Sequence, residues 1–146
     1  MGTRSHTNVF GRFDKDDEWQ HVCTIYRQMD GYPKEHGNDI KAILQGKKIV
    51  NGMGVNKTNI LNGEECLAAY LVGKLKGDEP GSIYLQAPTE DAEGIDYVYD
   101  LLVEAGEPII LVVRDPWDRT VIYDGPVDSF DPVETERRSA SLGEDE

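Results

Sequence analysis

The chain is poor in the residues that staple or metallate small proteins. Cys23 and Cys66 are its only cysteines, too few for a disulfide framework or a four-thiolate zinc site, and they read as reduced core thiols. The three histidines, His6, His21 and His36, form neither an H-x-E nor an H-E-x-x-H pattern, so the usual signature of a zinc hydrolase or deaminase is missing. No apolar run approaches the roughly 18–20 residues of a membrane span, and residues 1–10 lack the apolar stretch of a signal peptide. These absences lead to the expectation of a soluble, cytoplasmic protein with no membrane partner. Enough apolar residues are present to fold: Leu, Ile, Val and Phe number 35 of 146, above the roughly 20% below which charged chains stay disordered.

Cations are scarce in one half only. The net charge is −13, and residues 74–146 carry all of the excess, whereas residues 1–73 balance nine Lys/Arg against nine Asp/Glu. Within residues 78–131, fourteen acids face only Arg114 and Arg119. Such a field repels duplex DNA, because every phosphate contact needs a cation. No direct DNA binding is expected through this half. Its plain role is solubility; a sharper one is mimicry of nucleic acid toward a basic groove on a partner. Residues 34–57 carry a local +3, where an anionic ligand would go.

The coarse pattern is α+β. Residues 3–10 and 21–29 read as a hairpin around the polar cluster of residues 11–18, the second strand alternating with Cys23, Ile25, Arg27 and Met29 on one face. Asp30-Gly31-Tyr32-Pro33 is a turn. Ile40, Ile43 and Leu44 mark a short helix that Asn38 or Asp39 can cap and Gly46 ends. Residues 51–59 read as a loop. Leu67, Tyr70, Leu71 and Leu75 mark a longer helix over residues 64–76. Residues 82–87, 94–103, 108–114 and 120–123 read as strands of a meander. The expectation is a single domain over residues 1–131, with two helices on one face of a mostly antiparallel sheet, and a disordered acidic tail over residues 132–146.

No complete catalytic set is visible and no motif calls for a cofactor. Gly52, Gly54, Lys57 and Thr58 depart from the phosphate-loop pattern at Asn51 and Asn56; a looser backbone nest or a plain loop remains. Asp14, Asp16, Asp17 and Glu18 lack calcium-loop spacing. His21 and Cys23 share a face under strict alternation, but two ligands do not close a metal site. The richest cluster is Arg4, Tyr26, Arg27, Asp30, Tyr32, His36 and Lys57. In its structural reading Arg27 pairs with Asp30 and the cluster holds a turn. In its ligand reading Arg4, Arg27, Lys57 and His36 take an anion while Tyr26 and Tyr32 stack on a flat ring.

The words MGTRS at residues 1–5, YRQMDGYP at 26–33 with His36-Gly37 behind, and NGMG at 51–54 with CLAA at 66–69 occur together. In this the chain resembles a group of bacteriophage and bacterial open reading frames over roughly its first half; in that group NGMG runs almost directly into CLAA, whereas residues 55–65 intervene here. The resemblance implies a phage or mobile-element setting in a bacterial host and no particular reaction. The function expected is a small acidic accessory protein, counter-defence among its roles, that binds a host protein or a small anionic ligand such as a nucleotide. The alternatives are an enzyme of phosphate chemistry using Arg27, Asp30 and His36, and a nucleic-acid mimic.

Overall fold

The computed structural model describes residues 2–52 and 59–144. Its elements in chain order are β1 (Ser5–Arg12), β2 (Gln20–Arg27), a π-helical turn (Pro33–Gly37), α1 (Asn38–Leu44), β3 (Lys48–Val50), β4 (Ile60–Asn62), α2 (Gly63–Lys76), β5 (Ile83–Gln86), β6 (Tyr97–Glu104), β7 (Ile110–Arg114), β8 (Val121–Pro126), a 3-10 turn (Val127–Ser129) and α3 (Pro132–Glu144). The architecture is a single α+β domain with helices packed on a mostly antiparallel sheet. No helix among the described residues is long and apolar enough to cross a membrane.

Six strands lie in the order β5-β2-β1-β6-β7-β8. All neighbours are antiparallel except β1 and β6. Only β6 to β8 form the expected meander; β5 lies at the far edge against β2. It follows that β5 and β6 run parallel, and parallel strands need a crossover that returns along their length. Residues 87–96 supply it without a helix.

One face of the sheet carries the helices. Thr7 of β1 meets the π-helical turn, and a Cβ on Gly11 would collide with Glu64 of α2, so the odd positions of β1 point to the helical layer and the even ones away from it. Val9, Ile25, Leu101 and Leu111 from the sheet meet Ile40, Leu44, Leu67 and Leu71 from α1 and α2 in the core. Gly46 and Gly77, at φ 74° and 52°, end α1 and α2 in a conformation that side chains resist.

Two further sequence expectations change. Residues 132–146, read as a disordered tail, contain a third helix. It is anchored by small and polar groups that composition undervalues: Thr135 is buried, Ser139 meets the Tyr97 hydroxyl at 3.1 Å, and Glu136 accepts the Lys34 amide at 3.2 Å. The loop expected at residues 51–59 is flanked by β3 and β4, which pair in parallel; residues 53–58, including Lys57, lie outside the described residues. A register shift opposite Val9 and Phe10 breaks the alternation of β2, so His21 stacks on Phe10 on the helix-free face, ring centroids 4.5 Å apart, while Cys23 is buried in the core on the other. They do not share a face.

Candidate functional site

The cluster singled out in the sequence divides between the two faces. On the helix side, Arg27 donates from Nη1 to Asp39 Oδ2 at 2.8 Å and to His36 Nδ1 at 3.1 Å, and from Nε to the Met29 carbonyl at 2.9 Å. Because a guanidinium only donates, His36 Nδ1 accepts, and Nε2–H donates to Thr7 Oγ1 at 2.6 Å. The network thereby selects one neutral tautomer. Burial, reinforced by the Arg27 charge, pushes the His36 pKa down to about 3. The ring is fully buried, meets Tyr99 edge-on at 4.8 Å and has both nitrogens engaged.

Arg27 pairs with Asp39 rather than with Asp30. Asp30 sits at φ 62° on the exposed side of its turn, whereas the π-helical turn feeds directly into α1 and brings Asp39 over β2. Tyr32 stands at the head of that turn. Two lysines of the basic stretch reach the C-terminal half: Lys41 Nζ donates to the Phe130 carbonyl at 2.7 Å, and Lys34 lies 3.5 Å from Glu136.

Arg4 and Tyr26 belong to the helix-free face, where cross-strand register arranges side chains in rows. One row is Tyr84, Tyr26, His6, Val98 and Arg114; the next is Gln86, Thr24, Asn8, Asp100 and Val112; the third holds Phe10, Leu102 and Ile110. Thr24, Asn8 and Asp100 of the middle row form a continuous polar chain. Arg114 Nε donates to Asp100 Oδ2 at 2.7 Å, Asn8 Nδ2 to Asp100 Oδ1 at 2.9 Å, and Thr24 Oγ1 to Asn8 Oδ1 at 2.8 Å. The Thr89 amide then donates to Thr24 Oγ1 at 3.2 Å, which ties the crossover of residues 87–96 down onto the face.

Two adjoining cavities lie where the crossover meets the sheet, and Thr89 lines both. One, of about 240 Å³, has Phe10, His21, Arg114, Arg119 and Glu90 in its wall. The other, of about 300 Å³, has Arg4, His6, Tyr26, Gln86, Asp91 and Glu93. Arg114 and Arg119 are the two cations of residues 78–131, and both line the first cavity. Asp100 occupies Nε of Arg114, and among the described residues neither its Nη groups nor the Arg119 side chain has a hydrogen-bond or ion-pair partner. Arg119 is carried there by a tight β7–β8 turn in which Asp115 Oδ1 accepts the Trp117 and Asp118 amides at 2.7 and 3.2 Å and Arg119 itself adopts φ 62°. His6 is only 6% exposed; burial lowers its pKa, against the opposing charge of Asp91, so its imidazole is neutral at pH 7.

Sequence reading passed over Asn8, Asp100, His6 and the Arg114–Arg119 pair as site residues. One signal was present: two arginines isolated among fourteen acids. Six of those acids fall at the ends of the sheet, Asp96, Asp115 and Asp118 at one and Glu107, Asp128 and Asp131 at the other, Glu90, Asp91 and Glu93 line the two cavities, and Asp100 and Glu104 are tied to Arg114 and Arg12. Asp14 and Asp17 hydrogen-bond amides of their own hairpin turn. Comparison with protein-family models, curated proteins and solved structures found no match to the chain.

Proposed function

We propose that the protein acts by binding, as a small accessory protein of the phage or mobile-element setting, and that it holds a small anionic ligand on the helix-free face of its sheet. The single observation that carries this reading is the meeting of Arg114 and Arg119 at one cavity. In a segment of net −12, solubility alone gives no reason for the two cations to converge, and guanidinium forks are suited to carboxylate and phosphate oxygens. Asp100 holds Arg114 in position and leaves its outer nitrogens for a ligand. The surrounding carboxylates disfavour a polyanion, which must pass many of them, and tolerate a small anion that reaches only the pocket. The Arg27–His36 cluster supports the fold of the helical layer, since both imidazole nitrogens and the Nε and Nη1 of Arg27 are already bonded.

Native mass spectrometry of the protein purified from its host tests this. A retained small molecule that disappears in Arg119→Ala, with the unfolding midpoint unchanged, supports the reading. A bare protein mass, together with no shift in melting temperature on adding phosphate or small carboxylates, overturns it.

A further inference from the structure

We infer that the ligand is a nucleoside monophosphate, its phosphate against Arg114 and Arg119 and its base in the adjoining cavity of Arg4, His6 and Tyr26. The inference rests on the binding reading above and adds the chemical class of the ligand.

Four observations carry it. First, the second cavity has its own unengaged polar group: His6 is nine-tenths buried, its ring lines the cavity, and among the described residues it has no hydrogen-bond partner. Ser5 Oγ is the one fully buried side-chain N or O atom without a partner among the described residues, so the ring nitrogens of His6 open to the cavity and a ligand edge can pair with them. As a neutral imidazole it offers one donor and one acceptor, the kind of edge a base presents in return. Second, the wall beside it is aromatic. Tyr26 meets His6 edge-on at 6.0 Å and stacks on Tyr84 at 5.8 Å, so flat rings run across three strands in one row. Arg4 and Gln86 add donors there, and Asp91 and Glu93 add acceptors, which suits the mixed edge of a base better than a plain hydrocarbon.

Third, the spacing fits. His6 and Arg114 stand in one cross-strand row with Val98 between them, two strand spacings or about 10 Å apart, comparable to the reach from base to phosphate across one sugar. The two cavities adjoin at Thr89 and together fall within the roughly 300–1,000 Å³ of small-molecule sites. Fourth, the charges near the anion cavity limit the phosphate count. Arg114 and Arg119 are set against Asp100 and Glu90, so the cavity has no surplus positive charge; the two guanidinium forks can engage one phosphate, and each further phosphate of a triphosphate would add charge that nothing there offsets.

Calorimetric titration with inorganic phosphate, the four ribonucleoside monophosphates and their nucleosides, on wild type, His6→Asn, Gln86→Ala and Arg119→Ala, decides the matter. At least one monophosphate is expected to bind tenfold or more tightly than phosphate or its own nucleoside. His6→Asn should bring that affinity down to the level of phosphate and leave phosphate binding unchanged, while Arg119→Ala should weaken both by tenfold or more. Gln86→Ala changes an exposed edge residue, so a severalfold loss of monophosphate affinity reports on the base cavity even if His6→Asn fails to fold. If phosphate and every monophosphate bind alike, and neither His6→Asn nor Gln86→Ala separates them, the base assignment falls and the anion reading stands. If nothing in the panel binds and Arg119→Ala changes nothing, both fall.

Discussion

The two faces of the sheet use similar residue types and leave them in different conditions. On the helix side, Arg27, His36, Thr7 and Asp39 form a network in which the arginine reaches two side chains and a backbone carbonyl and the imidazole is bonded through both nitrogens. On the helix-free side, Arg114, Asp100, Asn8 and Thr24 are joined just as closely, but the outer nitrogens of Arg114 stop at a cavity that the Arg119 side chain also lines, and the His6 ring lines the cavity beside it. Histidine and arginine are therefore poor pointers to a site until their remaining hydrogen-bonding capacity is known. A network that closes on itself stabilises; one with open ends has something to offer a ligand.

The largest change should come from breaking the helical side at its packing. Phe130 is fully buried, meets Tyr123 edge-on at 5.0 Å and lies against Gly37 so tightly that a Cβ there would sit 2.8 Å from its ring. Phe130→Ala should cost about 3–5 kcal/mol in urea unfolding, and Gly37→Ala should also destabilise, because ring and backbone cannot both give way. His36→Gln comes next, with a loss of about 1–3 kcal/mol at pH 7 from the disturbed hydrogen bonds and a distinctive pH profile. The folded-state pKa is about 3, so between pH 6.5 and 3 the unfolded chain binds a proton that the folded chain refuses. Stability contributed by the neutral ring is complete above pH 6.5 and falls by about 1.4 kcal/mol per pH unit as pH drops through that window. The glutamine variant should lose that share of the slope, which parallel unfolding curves at several pH values would reveal; equal slopes would contradict the buried neutral tautomer.

On the helix-free side, Asp100→Ala leaves Arg114 partly buried without its partner and frees the Asn8 amide, for a cost of about 1–3 kcal/mol. Unfolding of Asp100→Ala beside Asp100→Asn, which keeps the acceptor for Asn8, separates the two contributions. The smallest stability effect belongs to Arg119→Ala. Its side chain is exposed and without a partner among the described residues, so unfolding should shift by no more than about 0.5 kcal/mol, while anion binding drops tenfold or more. A large loss of stability in Arg119→Ala would mean that the residue is structural and would erase the contrast between the faces.

Much of the secondary structure was legible because its causes are local. The three-and-four spacing of Leu67, Tyr70, Leu71 and Leu75 placed α2, and Gly46 and Gly77 closed their helices through conformations other residues resist. Reading failed where one local rule met a nonlocal one. The shift at Val9 and Phe10 turned His21 to the opposite face from Cys23, which strict alternation does not anticipate. Thr135 and Ser139 hold α3 through burial and one hydrogen bond, so a count of large apolar residues mistook the helix for a tail. Arg4 and Tyr26 proved to line a cavity, and Arg27 and His36 proved to be interlocked, because a residue list carries no information about which face each strand presents.

Residue identity and short spacings are enough for the α+β composition, the two halves of unequal charge and the isolation of Arg114 and Arg119 among acids. Long-range packing settles that β5 leaves the meander for the edge beyond β2, that residues 87–96 cross the helix-free face, and that Asn8 meets Asp100 across 92 positions of chain. The reason is geometric. A period of two says which side chains share a face, but strand order and the route of a parallel crossover are settled by how the whole sheet closes over its helices, and the two cavities that Thr89 lines depend on that route.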